Sequence, residues 1–365
     1  MIKLKIITII GARPQFIKAA PISQALKHNH DEVIVHTGQH YDEDMSNIFF
    51  SELNIPKPIY NLGVGSGTHA YQTAHMMLKI EEIILNEKPD CVLVYGDTNS
   101  TLAGAISAAK IGIPVIHMEA GLRSYNKKMP EEINRVLTDY LSSVLFCPTQ
   151  NAVSCLKKEN ITENIYNIGD VMLDATIKFK DLALEKYPTF PSDLQYINKK
   201  VNIDDYYLCT IHRAENTDID KLKIIISSLE ELEHKVLIPA HPRTRQMILS
   251  LLKNETNIVI VKPVGYLQML KLIIDSILVI TDSGGLQKEA YYLKKRCVTV
   301  REETEWIETL NGNWNILTKI DNKSIIDAVK NAKIDFGSYS LSQFGDGSSA
   351  KKFVKIMEEI FNEQK

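Results

Sequence analysis

Short β-branched runs alternate with amphipathic stretches along the whole chain, and this alternation limits the possible folds more than any other feature. Leu4–Ile10 (LKIITII), Glu32–His36 (EVIVH) and Cys91–Tyr95 (CVLVY) have the composition of buried strands, and each is followed by residues with helical periodicity. Strands that alternate with helices in this way predict an α/β fold with parallel sheets.

The alternation occurs twice. It is interrupted between Asp170 and about Asp205, where a helical stretch becomes irregular and contains two prolines. It then restarts, with strands predicted at Tyr207–Ile211, Val236–Pro239, Ile258–Val261, Ile277–Thr281 and Cys297–Val300. A chain of 365 residues is also longer than one core usually supports.

We therefore predict two Rossmann-like domains, residues 1–170 and 171–349, with an amphipathic C-terminal helix at 350–365. Open parallel sheets bind ligands beyond the carboxyl ends of their strands. Two such sheets facing a cleft between the domains would make that cleft the expected ligand site.

Composition excludes several classes of protein. The 42 Lys and Arg residues are balanced by 45 Asp and Glu residues, so no basic excess indicates nucleic acid. The five cysteines are scattered and form no CxxC pair, which is typical of a reduced cytoplasmic protein. The start of the chain leads directly into a strand without a signal-peptide pattern, and no apolar run is long enough to span a membrane. We expect a cytoplasmic protein.

Carboxylates follow two neighbouring predicted strands and begin a helix. Asp97 lies in YGDTNST, Glu119 in HMEAGLRS, and Glu131 and Glu132 in MPEEINR. Any one of them could be a helix cap or a solvated loop residue, and an acid at a helix start also favours the helix dipole. Three carboxylates at one sheet edge, those of Asp97, Glu119 and Glu131, instead favour proton-transfer chemistry.

Cations are predicted at the same edge. Arg13 lies in the first strand-to-helix turn (GARPQFIK), and Lys18 lies in the helix that this turn begins. Either could be an ordinary solvated residue, but arginine in such a turn commonly binds phosphate or carboxylate.

The second half carries a predicted anion site. In TDSGGLQKE, which follows a strand, Ser283, Gly284 and Gly285 begin a helix whose amides could approach a phosphate closely. Glu289 could accept hydrogen bonds from ribose hydroxyls. His212 follows another strand and could act as a cation or proton donor. A plain capped helix and a structural histidine are the alternatives.

Three other motifs are predicted to have no such role. Gly63–Gly67 (GVGSG) has the wrong spacing for a dinucleotide fingerprint, so it is predicted to be a loop before the helix Tyr71–Leu85. His36 and His40 flank a strand end, so metal binding is not expected. The basic cluster of His241, Arg243 and Arg245 could bind a second anion, but it is predicted to be a solvated loop.

Seven motifs together resemble the non-hydrolysing UDP-N-acetylglucosamine 2-epimerases. In chain order they are GARPQFIKA, TGQH, GDTNSTLAGA, HMEAGLRS, MPEEINR, HRAEN and TDSGGLQKEA. The resemblance implies a GT-B-like pair of Rossmann domains that bind UDP between them. It further implies a homodimer, and a C-terminal helix that crosses back onto the first domain.

The resemblance also implies a mechanism without metal or other cofactor. The C2 proton is removed while UDP leaves C1, and UDP then adds back to the 2-acetamidoglucal after C2 is protonated on its other face. The product would supply surface polysaccharide synthesis. The implied catalytic residues are Asp97, Glu119, Glu131 and His212. The implied substrate or UDP ligands are Arg13, Lys18, Arg135, His212, Ser283, Gly284, Gly285 and Glu289.

Two departures from the family pattern bear on the identity of the substrate and on regulation by it. Trp306 in REETEWIE replaces the usual arginine, and its indole would either stack on a C3 acetamido group of the sugar or pack in the core. Asp42 and His69 replace the Gln and Arg of a regulatory site, which argues against activation by substrate. The substrate is left open between UDP-N-acetylglucosamine and UDP-2,3-diacetamido-2,3-dideoxy-glucuronate.

Other functions are possible on the same fold. A GT-B glycosyltransferase would need an acceptor pocket, and a UDP-sugar binding protein would need none of the three carboxylates. A hydrolysing epimerase would release free sugar. The positions of the carboxylates favour the non-hydrolysing epimerase.

Overall fold

The chain folds as two compact units in the computed structural model. The first is Met1–Ala175 with Leu341–Lys365, and the second is Thr176–Ser340. Apart from the side chain of Arg243, the structure describes residues 3–39, 49–201, 203–213, 215–334 and 336–363.

Within these residues, the first unit contains a parallel sheet of seven strands. They are β1 (Lys5–Ile10), β2 (Asp31–His36), β3 (Tyr60–Asn61), β4 (Cys91–Tyr95), β5 (Val115–Met118), β6 (Val144–Cys147) and β7 (Ile165–Asn167). Their order in the sheet is β3-β2-β1-β4-β5-β6-β7, so the chain reverses its direction of travel across the sheet between β1 and β4.

Helices cover the sheet of the first unit. They are α1 (Arg13–Leu26), α2 (His69–Glu87), α3 (Asn99–Lys110), α4 (Pro130–Leu141), α5 (Gln150–Lys158) and the first part of α6 (Val171–Lys186). One core cluster joins Ile7, Ile9 and Val94 of the strands to Met76 and Ile80 of α2. The strands β4, β5 and β6 are buried along their whole length and thus on both faces, which explains their largely apolar sequences.

The C-terminal helix (Ser349–Glu363) belongs to the first unit. The ring of its Phe353 packs edge-on against Phe146 of β6 at 5.0 Å between centroids. The carboxylate of Asp174 accepts hydrogen bonds from the backbone N–H groups of Ser349 and Ala350, at 3.1 and 2.9 Å. These contacts satisfy two of the four N–H groups that a helix start leaves without partners.

In the described part of the second unit, six strands form another parallel sheet. They are β8 (Tyr206–Thr210), β9 (Lys235–Pro239), β10 (Ile258–Val261), β11 (Leu278–Thr281), β12 (Cys297–Thr299) and β13 (Asn315–Leu317). The order is β10-β9-β8-β11-β12-β13, with the reversal between β8 and β11. The helices are α7 (Ile219–Glu230), α8 (Pro242–Leu251), α9 (Tyr266–Asp275), α10 (Gly284–Tyr292) and α11 (Asn322–Ile334).

The predicted fold class is confirmed: the protein is α/β, with two Rossmann-like parallel sheets. The prediction of a loop at His241–Arg245 was wrong, because α8 begins at Pro242. Proline suits a first helical position, where its missing N–H group is not needed. The strand β13 was not predicted at all. Among the described residues, no helix is long and apolar enough to cross a bilayer.

Candidate active site

Polar side chains lie near the point in each sheet where the order of strand addition reverses. In the first unit, Arg13, Asp97 and Glu119 lie just after β1, β4 and β5, at one edge of the sheet. In the second unit, the loops after β8 and β11 carry His212 and Ser283. Crevices at such switch points are the usual ligand sites of open α/β sheets.

The amide of Gln15 joins the strand-to-helix turns that follow β1 and β4. Its Oε1 accepts hydrogen bonds from the N–H groups of Gly11 and Ala12, at 2.8 and 3.0 Å. Its Nε2 donates to the Tyr95 carbonyl at 3.0 Å and to Thr101 Oγ1 at 3.1 Å. The side chain therefore fixes the turn that carries Arg13 against the turn that carries Asp97.

Lys18 and Glu119 form a buried ion pair at this edge. Both side chains are less than a tenth exposed, and Lys18 Nζ donates to Glu119 Oε1. Glu119 has a φ of 73°, which is uncommon for a residue other than glycine. Strained backbone of this kind clusters at functional sites, so the local geometry supports a special role for Glu119.

A second ion pair joins Arg135 to Asp97. Arg135 Nη2 donates to Asp97 Oδ2 at 2.5 Å, and Nη1 donates to Glu132 Oε2 at 2.7 Å. Glu132 also accepts hydrogen bonds from the N–H groups of Ser124 and Tyr125, so it anchors the loop before α4. Glu131 is half-buried, and within the described parts of the chain its carboxylate has no such partner.

Beneath these pairs lies a buried network that the sequence did not reveal. His117 Nε2 lies 2.8 Å from the carbonyl of Gly96, and Nδ1 lies 2.7 Å from Asp139 Oδ1. Arg123 Nη1 donates to the other oxygen of Asp139 at 2.7 Å. The network holds the backbone directly before Asp97.

Arg13 lies in the first turn of α1, as predicted from its position in the motif. Its side chain is half-buried, and its guanidinium carbon lies 4.9 Å from the centroid of the Phe49 ring. Stacking on an aromatic ring helps to position a guanidinium.

In the second unit, Asp282 organises the loop after β8. This fully buried carboxylate accepts hydrogen bonds from the N–H groups of His212 and Arg213, at 3.0 and 2.9 Å, and from Asn216 Nδ2 at 3.2 Å. The His212 imidazole is about half exposed, with Nδ1 3.3 Å from Asp282. Asp282 was not predicted, although it precedes Ser283 directly.

The predicted anion site begins α10. Ser283 is the N-cap residue, and its hydroxyl accepts from the N–H of Leu286 at 3.3 Å. A Cβ atom on Gly284 would lie 2.5 Å from Glu305 Oε1, so only glycine fits there without displacement. Gly285 is half-buried in the same turn, and Glu289 is buried further along the helix.

The hypothesis that Trp306 stacks on the sugar was wrong. The indole is only 2% exposed, and Lys288 Nζ lies 3.5 Å from its ring centroid. The ring thus packs in the interior, the other alternative that the sequence left open.

The remaining sequence features occupy ordinary structural positions. The Gly63–Gly67 segment is a loop before α2, as predicted. His36 Nδ1 accepts from the N–H of Gly38 at 3.1 Å, and His69 hydrogen-bonds Asn99. His40 and Asp42 lie outside the described residues. Among the residues that the structure does describe, no three His, Cys, Asp or Glu side chains are grouped as metal ligands.

Two Rossmann-like units, with charged side chains at the switch points of their sheets, define a GT-B-like α/β enzyme. A family model for UDP-N-acetylglucosamine 2-epimerase matches residues 24–358. The chain therefore belongs to the UDP-N-acetylglucosamine 2-epimerase family, whose members are carbohydrate epimerases.

Two curated relatives are equally similar to the chain but differ in the substrate that they are named for. A UDP-N-acetylglucosamine 2-epimerase homolog from Methanococcus maripaludis is 48% identical over 98% of this chain and 100% of its own length. The UDP-2,3-diacetamido-2,3-dideoxy-D-glucuronate 2-epimerase from Pseudomonas aeruginosa is also 48% identical, over the same shares.

A solved structure is similar over almost the whole chain. The Methanocaldococcus jannaschii UDP-GlcNAc 2-epimerase, in complex with UDP-GlcNAc and UDP, is 43% identical. It has a TM-score of 0.90, and the match covers 98% of this chain and 100% of that one.

A substitution at Gly96 tests whether the Lys18–Glu119 ion pair leaves room for a side chain beside it. Gly96 has a φ of 64°, and a Cβ atom there would lie 3.2 Å from Lys18 Nζ and 3.3 Å from Glu119 Oε1. Gly63 has a φ of 59°, but its Cβ would meet nothing within 4 Å. In both Gly→Ala variants, the free energy of unfolding should fall by about 1–2 kcal/mol, because alanine is strained in the left-handed conformation.

Gly96→Ala should lose at least about 1 kcal/mol more than Gly63→Ala, because it also crowds the ion pair. Urea denaturation followed by circular dichroism measures both losses. Equal losses of stability would show that the Lys18 and Glu119 side chains can move aside for the added methyl group at no energetic cost.

Proposed function

We propose that this family member is a non-hydrolysing UDP-N-acetylglucosamine 2-epimerase. It would interconvert UDP-GlcNAc and UDP-ManNAc without releasing free sugar, and so supply precursors of surface polysaccharide. The observation that carries the proposal is the pair of cation–carboxylate contacts, Lys18–Glu119 and Arg135–Asp97, at neighbouring strand ends of the first unit.

The reaction is an elimination followed by a re-addition. A carboxylate removes the proton from C2, a double bond forms between C1 and C2, and UDP leaves C1 with the electrons of the C–O bond. A proton is then delivered to the opposite face of C2, and the same phosphate oxygen re-forms its bond to C1. Removal and delivery on opposite faces require more than one acid–base group.

Asp97, Glu119 and Glu131 are the carboxylates that we assign to this proton transfer. Asp97 and Glu119 are each held by a basic side chain, so each keeps a fixed position at the sheet edge. Glu131 has no such restraint among the described residues, which suits a group that contacts the substrate directly.

The second unit supplies the groups that we assign to UDP. The N–H groups of Gly284 and Gly285 at the start of α10 would bind phosphate, because the helix dipole favours an anion there. Glu289 would accept from the ribose hydroxyls. His212, held at its backbone by Asp282, would act beside the diphosphate as a cation and as a proton donor to departing UDP. Arg13, Lys18 and Arg135 are further candidates for substrate contacts.

A second substrate is supported by one specific observation. The relative from Pseudomonas aeruginosa, named for UDP-2,3-diacetamido-2,3-dideoxy-D-glucuronate, is as similar to this chain as the homolog from Methanococcus maripaludis. Trp306 does not favour either sugar, since its indole is buried. The two substrates must therefore be compared directly.

We further propose that the enzyme is a cytoplasmic homodimer. All five cysteines are free and buried, as expected in a reducing compartment. On α4, the apolar side chains Ile133, Leu137 and Tyr140 are 48%, 45% and 59% exposed at helical spacing. Such a stripe on one helix face is typical of a surface that another copy covers.

Solvent exchange tests the reaction. In D2O, without added metal or nicotinamide, deuterium should appear at C2 of both epimers while UDP stays attached to nearly all of the sugar. NMR of the sugar follows this for UDP-GlcNAc and, in parallel, for the diacetamido glucuronate. Epimerisation without exchange, or accumulation of free sugar, excludes the mechanism, and turnover of the glucuronate alone reassigns the substrate.

Amide variants test the carboxylates. Asp97→Asn, Glu119→Gln and Glu131→Gln should each lower kcat by at least about a hundredfold, the scale of losing a general acid or base. Asp275→Asn is the matched control, because its carboxylate also pairs with a cation, Lys271, but lies on α9. Normal turnover in all three active-site variants would refute the assignment.

Gly284→Val should show the opposite behaviour. The added side chain would meet Glu305 and block the helix start, so UDP binding should weaken. The three amide variants should bind UDP almost normally. Calorimetric titration with UDP separates the two classes of variant.

The oligomeric state is tested by Leu137→Glu. A charge within the exposed stripe of α4 should convert a dimer to a monomer in light scattering after gel filtration. Ile219→Glu, which changes a 50% exposed side chain on α7, is the control and should leave the mass unchanged. A monomeric wild type contradicts the proposal.

A further inference from the structure

A cavity of about 420 Å³ lies in the second unit, at the edge of the sheet opposite to the start of α10. Ile277 and Leu278, where β11 begins, line it, and so does Arg296, the residue before β12. The predicted UDP ligands lie at the other ends of these strands. The cavity is therefore distinct from the candidate active site.

Four cations line this cavity. They are Lys294, Lys295, Arg296 and Lys333. Three of them lie over aromatic rings at the following distances from the ring centroids: Arg296 over Phe336 at 3.5 Å, Lys294 over Tyr339 at 5.1 Å, and Lys333 over Tyr207 at 5.5 Å. Aromatic faces attract cations and position them, but they leave the positive charge uncompensated.

Carboxylates compensate little of this charge. Lys333 pairs with Glu233, whose side chain is mostly exposed. For Lys294, Lys295 and Arg296, the described parts of the chain place no carboxylate within ion-pair distance. Lys295 instead donates to the Ser276 carbonyl at 2.7 Å, and Arg296 to the Ala332 carbonyl at 2.8 Å.

Burial makes two of these charges, those of Lys295 and Arg296, costly. Partial burial lowers the pKa of both Lys295 and Arg296 from their usual values, because the cavity disfavours the charged forms. Asp275, which acts on Lys295 from a distance, is itself paired with Lys271. The C-terminal end of α10 precedes the cations, but a helix dipole supplies only about half a negative charge against three positive ones.

We propose that this cavity binds an anion with two or more linked phosphate groups. Such a ligand would neutralise the three cations that the protein leaves without carboxylates, and charge-assisted hydrogen bonds from lysine and arginine are the usual means of binding phosphate. A monovalent anion would leave most of this charge uncompensated, and a single phosphate, with a charge of about −2, would still leave about one positive charge. The ligand class is therefore a diphosphate or a larger phosphate chain.

Calorimetric titration with inorganic diphosphate tests the proposal on the full chain. Saturating UDP is present throughout, so that the proposed UDP site is already filled and cannot bind the probe. We expect one saturable site per chain, weakened at least about tenfold in Lys295→Met/Arg296→Met, since two charge-assisted contacts are lost. Inorganic phosphate should bind more weakly than diphosphate.

Two single variants keep the result interpretable if the double variant fails to fold. Lys294→Met changes an exposed side chain at the cavity and should weaken diphosphate binding about threefold or more. Lys330→Met removes an exposed cation of α11 that does not line the cavity, so binding should be unchanged. Absence of saturable binding, or equal weakening in these two variants, overturns the proposal and leaves the epimerase assignment untouched.

Discussion

The parallel arrangement of the strands is the constraint on which both units depend. Because parallel strands all end at one edge of their sheet, residues far apart in sequence meet there. Asp97 and Glu119 follow β4 and β5, which are neighbours in the first sheet, and His212 and Ser283 follow the neighbouring strands β8 and β11. Without that common edge, Asp97 would not lie near Glu119, nor His212 near Ser283.

Charge at the first of these edges must be compensated locally. Burying a lone carboxylate or cation is costly, and removing one partner of a buried pair is more costly still. Lys18, Arg135 and Arg123 each meet a carboxylate, and His117 joins the last of these networks through Asp139. Each of these cations thus offsets the charge of a carboxylate at this edge of the sheet.

The sequence predicted most of the strands, and it placed the candidate site residues directly after them, because both follow from local patterns. Alternating apolar runs located β1, β4 and β11, and the residues just after them followed from topology. The sequence did not indicate Gln15 or Asp282, since each acts on backbone groups brought close only by folding. Nor did the sequence indicate the contact of the buried Trp306 ring with Lys288, a residue of another element.

The start of α10 shows how an acidic residue can lie beside a proposed phosphate site. Glu305 lies close enough to Gly284 to exclude a side chain there, which taken alone would repel a diphosphate. Arg301 Nη2, however, lies 2.9 Å from one oxygen of Glu305, and Arg213 Nη2 lies 3.7 Å from the other. The two guanidinium groups offset the charge of this carboxylate, and the N-terminal dipole of α10 adds a positive potential. In this arrangement Glu305 orients two arginines near the helix start, and an incoming phosphate would meet them already in position.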